Sequence, residues 1–415
     1  MIKLNDQFTW SSNTKIDLVD ISGGKSLSTG IHPSNSKHRR SLEMLDEIRT
    51  LVQGGSSFRM QPDGPTEIKP ISDAREGILE CMTSGSSGAP KIIRRSHLSW
   101  IASFEINTEL FNLSPEDTYA VLGSLEHSIS LYGTLEAAHI GASLCLLAAL
   151  RSDKQLKLLH QNRVSVLYAT PTQLENLAAI ASPDLQLKDV RCILIGGGAF
   201  SATLAEKCRD LFPFADLNPF YGAYETSFIT IANADSPQGS VGSAYPNVEI
   251  SIRSESGQIT NGTGEIWVKS PYLYAGYAEP VVSDTKQLNG FVTVGEYGYL
   301  DQAANLFVRG RKGRMVTVSD QNVYPDEIEQ FLSVHYKAGP LAVVPVPDDK
   351  RGHRLAVIAT DDARKASLEV ALELCRKTYG AHSTPKYMYF AKDLPQLASG
   401  KLDYAKIDAW IKERL

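Results

Sequence analysis

Between residues 78 and 211, short β-branched apolar runs alternate with stretches of helical periodicity, and this rhythm constrains the fold more than any other feature. The runs at 119–122, 142–147, 164–168 and 192–195 are apolar nearly throughout, as strands are when both faces of their sheet are covered. Helical patterns at 171–180 and 201–211 follow the last two. Buried strands separated by helices imply βαβ units and a largely parallel sheet.

The pattern changes near Val241. Segments 248–253, 265–269, 298–300 and 306–308 are short strands joined by Gly and Asn turns, which suits an antiparallel sheet or barrel. A third pattern follows Arg314. A helix begins at Tyr324 and Pro325, with Asp326, Glu327 and Glu329 at its positive end. Strands at 341–346 and 354–360, a helix at 363–379, a strand near 387–390 and a helix at 404–415 complete it. The expected fold class is α/β. A large N-terminal domain (1–312) carries mixed and parallel sheets with helices and an antiparallel β subdomain, and a small α+β C-terminal domain (313–415) follows the run Gly310, Arg311, Lys312, Gly313. The first 76 residues are less legible, apart from an amphipathic helix at 41–52.

Charge narrows the functional classes. Forty-two basic against forty-seven acidic side chains leave a net charge of −5, so no electrostatic drive toward nucleic acid or an anionic membrane is expected. No apolar run reaches the length of a membrane span, and the first residues lack signal-peptide architecture. Cys81, Cys145, Cys192, Cys208 and Cys375 are scattered, without C-x-x-C pairs. Buried reduced thiols in a cytoplasmic protein are expected, not a disulfide framework or a zinc site.

One segment carries most of the chemical information. Thr83, Ser84, Gly85, Ser86, Ser87, Gly88 and Lys91 follow the strand-like 78–82 and make a flexible loop rich in hydroxyls and exposed N–H groups, suited to wrapping polyphosphate oxygens. It is not a Walker A loop, because Gly85, Gly88 and Lys91 are each three apart. Downstream come Gly196–Gly197–Gly198, then Phe220–Tyr221–Gly222–Ala223–Tyr224–Glu225, then Gly264–Glu265 with Gly276–Tyr277. Glu296 in a Gly-Glu-Tyr-Gly context, Gly310–Arg311, the Asn322 to Glu329 segment and Ser399–Gly400–Lys401 complete the series.

In this order the motifs resemble the superfamily of adenylate-forming enzymes: acyl-CoA and aryl-acid ligases, adenylation domains of peptide synthetases, and luciferases. The resemblance spans about Cys81 to Asp403. It implies joining a carboxylate to the α-phosphate of ATP, release of pyrophosphate, and transfer of the acyl group from its adenylate to a thiol. By that pattern Thr83, Ser84, Ser86, Ser87 and Lys91, with Gly85 and Gly88, would hold the β- and γ-phosphates, and Glu225 would ligate Mg²⁺. Tyr221 would stack on adenine beside Gly197 and Gly198, within the same nucleotide site as Gly222 and Tyr224, while Glu296 and Arg311 would hold the ribose. Lys401, on a mobile C-terminal domain, would bridge the incoming carboxylate and the α-phosphate, and His127 would orient the substrate oxygen or gate the acyl pocket. Ser128, Tyr132, Phe200 and Phe220 would line that pocket, whose aromatic and small polar character suits an aryl or short acyl acid.

One segment and four positions depart from the family pattern. The segment before the phosphate loop is shorter than in typical members. Glu296 stands where Asp is usual, and Tyr224 replaces a small hydroxyl residue. Gly313 occupies the hinge position usually held by Asp or Lys, and Asp320 a position where glycine normally lines the pantetheine tunnel. The last change and the short start favour a carrier-protein phosphopantetheine over free CoA as acceptor. Transfer of the adenylate to an amine or hydroxyl, and a degenerate member that binds nucleotide or acyl ligand without turnover, are the rival readings.

Overall fold

The computed structural model describes residues 7–15, 35–68, 77–82, 91–279, 284–336, 339–360, 364–396 and 402–414. Its central sheet has seven strands in the order Ser243–Ala244, Ser227–Ile231, Asp216–Ala223, Cys192–Ile195, Val166–Ala169, Thr118–Val121, Ser143–Leu146. The last five of these pair in parallel. The first two extend the sheet antiparallel.

Successive residues of a strand point to opposite faces, and the two faces found here have separate cores. Val121, Leu144, Val166, Tyr168 and Leu194 pack with Leu131 and Leu135 of the helix Ser128–Ile140 and Phe104 of His97–Leu110. Ala120, Cys145, Leu167, Ile193 and Ile195 pack with the helices Ser152–Gln161, Pro171–Ile180 and Ala202–Leu211. The continuous apolar runs are therefore the strands of a sheet covered on both sides, as expected from the sequence.

The order of connection places a topological switch point between Thr118–Val121 and Val166–Ala169. From Thr118–Val121 the chain passes through Ser128–Ile140 to the edge strand Ser143–Leu146, then crosses back to Val166–Ala169 on the other side. Where winding reverses in this way, the loops at the carboxyl ends of neighbouring strands diverge and leave room for a ligand.

Two further sheets flank this one. Gly276–Tyr277, Ile92–Ser96, Ile78–Met82, Phe58–Gln61 and Gly64–Glu67 form the first. An antiparallel six-stranded sheet includes Gly264–Lys269, Glu296–Leu300 and Leu306–Arg311. From Val316 onward a fourth sheet begins, with Leu341–Asp348 and Gly352–Ala359 at its centre. Val343, Leu355 and Val357 pack on one side with residues of Pro325–His335 and Lys365–Ser383. Val344, Ala356 and Ile358 pack on the other with Ile407 and Ile411 of Tyr404–Lys412.

The junction between the third and fourth sheets is ionic. Arg309 contacts Glu327 at 2.8 Å, the N–H of Arg311 donates to Asp326 at 3.2 Å, and Arg314 meets the same Asp326 at 2.5 Å. The acidic first turn of Pro325–His335, expected to complement the helix dipole, thus also clasps the strand Leu306–Arg311. Gly313 lies in the short turn Lys312–Arg314, and a Cβ there would touch nothing within 4 Å. Packing does not demand glycine at that position.

Candidate active site

The carboxyl ends of the parallel strands gather most of the described candidate residues. His127 follows Thr118–Val121, Thr170 follows Val166–Ala169, and Gly196–Gly198 follow Cys192–Ile195. The strand Asp216–Ala223 pairs in parallel with its neighbour only as far as Pro219. Phe220 to Ala223 therefore run past the sheet edge, held by Ser227–Ile231 alone. Gly196 is required by this overhang, because a Cβ at that residue would stand 2.3 Å from the Phe220 ring. Gly197 adopts φ +85, a conformation that favours glycine, and Gly197 and Gly198 are exposed beside the overhang. Phe200 is half-buried against the second core.

Three polar groups meet above this edge. Glu296 and Arg311 stand directly opposite each other in the antiparallel pairing of Glu296–Leu300 with Leu306–Arg311. Arg311 Nε approaches one Glu296 oxygen at 3.4 Å, and the Tyr221 hydroxyl donates to the other. Burial, followed by the negative charge of Glu296, pushes the Tyr221 phenol well above its ordinary range, so it remains a hydrogen-bond donor. Glutamate's extra methylene spans the distance between a residue of the central sheet and one of the antiparallel sheet.

Glu225 is held from two sides. Its carbonyl accepts from the Tyr274 N–H at 2.8 Å, and its Oε1 accepts from the Tyr277 hydroxyl at 2.8 Å. The preceding turn is closed by the Ala223 N–H donating to Thr226 Oγ1 at 3.0 Å. Behind it lies Arg95, 3% exposed, which donates to the carbonyls of Tyr224 (2.7 Å) and Tyr272 (2.9 Å) and to Ser99 Oγ (2.9 Å). The Tyr224 phenol is pushed up by burial, against hydrogen bonds from the side chain and backbone of Ser128. Ser128 opens the helix Ser128–Ile140, and the His127 carbonyl accepts from the N–H groups of Ser130 and Leu131 at 3.1 and 3.0 Å. The His127 ring is half-buried at this helix start.

Among the described residues no cluster of three metal-ligating side chains exists. A lone carboxylate fits Mg²⁺ delivered with a polyphosphate, because such a cation keeps phosphate oxygens and waters as its remaining ligands. Glu225 meets that requirement.

The other candidate positions stand as follows. Tyr132 is 5% exposed and turns its hydroxyl onto Ser103 Oγ at 2.7 Å and Asn107 at 3.1 Å, within the core beneath the sheet edge. Gly222 is exposed on the overhang, and a Cβ there would collide with the Ser227 carbonyl at 1.9 Å. Lys91 is half-buried just before the strand Ile92–Ser96. Thr83, Ser84, Gly85, Ser86, Ser87, Gly88 and Lys401 lie outside the described residues. Asp320 has φ +65 beside Ser319 at φ +47, in the hairpin turn between Val316–Val318 and Gln321–Val323. Glycine suits that backbone best, and Asp tolerates it better than most residues.

Two residues around Glu225 were not among the sequence candidates. Arg95 shares the buried side of Ile92–Ser96 with Ile93, but Arg94 alternates with Ile92 in the same way, so the sequence does not tell the two arginines apart. Tyr277 had only its place in the Gly276–Tyr277 motif.

Residues 20–278 match the AMP-binding enzyme family, and residues 327–401 match the AMP-binding enzyme C-terminal domain. The uncharacterized acyl–CoA ligase YhfT of Bacillus subtilis is 31% identical over 350 residues, covering 83% of this chain and 71% of that protein. The solved structure of o-succinylbenzoate CoA synthetase (MenE) from Bacillus subtilis, in complex with the acyl-adenylate intermediate OSB-AMP, superposes with a TM-score of 0.68 at 24% identity, over 79% of this chain and 68% of that one. The amide bond synthetase McbA from Marinactinospora thermotolerans superposes with a TM-score of 0.70 at 24% identity, over 82% and 74%. These two likenesses establish a shared fold.

Proposed function

The chain belongs to the family of AMP-binding enzymes, and from that premise we propose how its own residues carry out ATP-dependent, AMP-forming ligation of a carboxylic acid to a thiol. The observation that supports this reading best is the meeting of Tyr221, Glu296 and Arg311 above the carboxyl edge of the parallel sheet, with Glu225 one turn away.

In the first half-reaction a carboxylate oxygen of the substrate bonds to the α-phosphorus of ATP and pyrophosphate leaves. Glu296 and Arg311 hold the ribose, and Tyr221 presents its ring to adenine beside Gly197 and Gly198. The 83–88 loop and Lys91 hold the β- and γ-phosphates. Glu225 would hold Mg²⁺, which would neutralise charge on the phosphates. Lys401 carries an ammonium to the two approaching anions, whose mutual repulsion is the main electrostatic obstacle. In the second half-reaction a thiolate attacks the acyl carbonyl and AMP leaves. On this reading residues 1–312 bind nucleotide and acid, and residues 313–415 rotate about Gly313 between the halves. On the same reading Phe220, Phe200, Ser128 and Tyr224 would face an aryl or short acyl acid, with Tyr132 behind them in the core, and His127 would orient the carboxylate.

The acceptor is CoA or a carrier-protein phosphopantetheine, with the carrier protein as the finer proposal, supported by the Asp320 substitution. The five cysteines are buried and form no disulfide, which supports a cytoplasmic location; among the described residues no helix is long and apolar enough to cross a membrane.

Lys401→Ala separates the two half-reactions. Adenylate formation should fall by about a thousandfold, near 4 kcal/mol of barrier, while thioester formation from a supplied acyl-adenylate stays within a few-fold of wild type. Equal loss of both would contradict rotation. Supplying CoA, a phosphopantetheinylated carrier and simple amines in parallel identifies the acceptor.

A further inference from the structure

Tyr277 lies outside the nucleotide and acyl contacts proposed above, yet its hydroxyl touches Glu225. We propose that Tyr277 is a positioning residue for cation binding: its hydroxyl fixes Oε1 of Glu225 and aims Oε2 at the cation. This rests on the reading of Glu225 as the Mg²⁺ ligand.

The direction of the hydrogen bonds follows from the donors available. An ionised carboxylate only accepts, so the 2.8 Å contact to Glu225 Oε1 uses Tyr277's one proton. The same hydroxyl lies 2.8 Å from Thr285 Oγ1, which is able to donate to it. A donation from Thr285 strengthens the bond from Tyr277 to Glu225. Among the described residues Oε2 of Glu225 carries no hydrogen bond, which leaves it to a cation. Ligating carboxylates are commonly oriented by such outer partners.

The backbone makes this geometry rigid. Gly276–Tyr277 pairs antiparallel with Ile92–Ser96, Tyr277 opposite Ile93 and Gly276 opposite Arg94. The N–H groups of Ala275 and Ala278 donate to the carbonyls of Arg94 and Ile92 at 2.8 and 2.9 Å. The strand so held is the one that follows the 83–90 segment. Tyr274, three residues before Tyr277, holds the Glu225 carbonyl, and the two rings meet edge to face at 5.3 Å. One short segment therefore ties the cation ligand, through backbone and side chain together, to the strand that follows the phosphate loop.

The test is equilibrium binding of Mn²⁺, read by electron paramagnetic resonance, to the full chain with a non-hydrolysable ATP analogue. Tyr277→Phe keeps the ring and every backbone bond, and should weaken Mn²⁺ about tenfold while analogue affinity in EDTA stays at the wild-type value. Thr285→Val should fall between the two. Glu225→Gln separates the premises. If it weakens Mn²⁺ but Tyr277→Phe does not, the positioning role fails and the ligand assignment survives. If Glu225→Gln leaves Mn²⁺ binding unchanged, both fail. A Tyr277→Phe loss equally large in EDTA would mean a merely structural role and would overturn the inference.

Discussion

Replacing Glu136 with glutamine should remove a pH-dependent cost of folding. Glu136 is fully buried in the helix Ser128–Ile140 and accepts from Asn107 Nδ2 at 2.8 Å and from the Tyr168 hydroxyl at 2.7 Å. Burial outweighs these bonds and pushes the carboxyl from 4.5 up to about 7. Between those values the native state holds a proton that the unfolded chain has released. Stability therefore falls as pH rises through that window, and the group contributes nothing unfavourable below it. At 1.36 kcal/mol per pH unit, the gap corresponds to about 3 kcal/mol, with roughly 2 kcal/mol of it between pH 5 and 7. The buried Glu329 is also raised to about 7, so the raw slope of the wild type mixes two carboxyls. The difference between wild type and Glu136→Gln isolates one. Urea unfolding at pH 5, 6, 7 and 8, followed by the fluorescence of the four tryptophans, among them Trp100 with its ring 5.1 Å from Tyr132 in the same core, reads it. The variant should gain on the wild type steadily with pH. A difference that stays constant from pH 5 to 8 would refute a raised carboxyl and mean that the phenol and amide donors hold Glu136 ionised.

Two further perturbations probe the site. Glu296→Asp shortens the side chain that joins Tyr221 to Arg311, and should raise the KM for ATP about tenfold, near 1.4 kcal/mol, with the KM for the acid unchanged; steady-state kinetics with each substrate varied decides. Gly196→Ala drives a methyl into the Phe220 ring and should cost about 1–3 kcal/mol of stability, seen in thermal unfolding, and should raise the KM for the acid more than that for ATP.

The parallel sheet was legible because its strands are buried on both faces. Cys192–Ile195 and the helix Pro171–Ile180 have the boundaries read from the pattern, the latter because Thr170 and Gln173 form a capping box. The helices His97–Leu110 and Ser128–Ile140 were not read. They are buried on several sides, as the buried run from Ser130 to Ala138 illustrates, and so carry no apolar stripe to set a period. The hairpin of Phe58–Gln61 with Gly64–Glu67 was missed too, being four residues a side. Within the site, Tyr221, Glu225, Glu296 and Arg311 were recognisable as an ordered set, but their mutual contacts depend on an overhang and a cross-strand register that no local pattern encodes. Arg95 was no more legible, because Ile92 with Arg94 and Ile93 with Arg95 alternate alike and only the fold decides which face is buried. The polar cluster of Asn107, Glu136, Tyr132, Tyr168 and Tyr245 was opaque, since a glutamate in a helix ordinarily faces water.

Acid-dependent exchange of labelled pyrophosphate into ATP tests the central claim most directly, because only reversible formation of an acyl-adenylate produces it. With a panel of aryl and short acyl acids, at least one should drive exchange that requires Mg²⁺ and is lost in Glu225→Gln and Lys401→Ala. If the protein binds ATP but gives no exchange with any acid, it is a nucleotide-binding protein without turnover and the proposed chemistry is wrong.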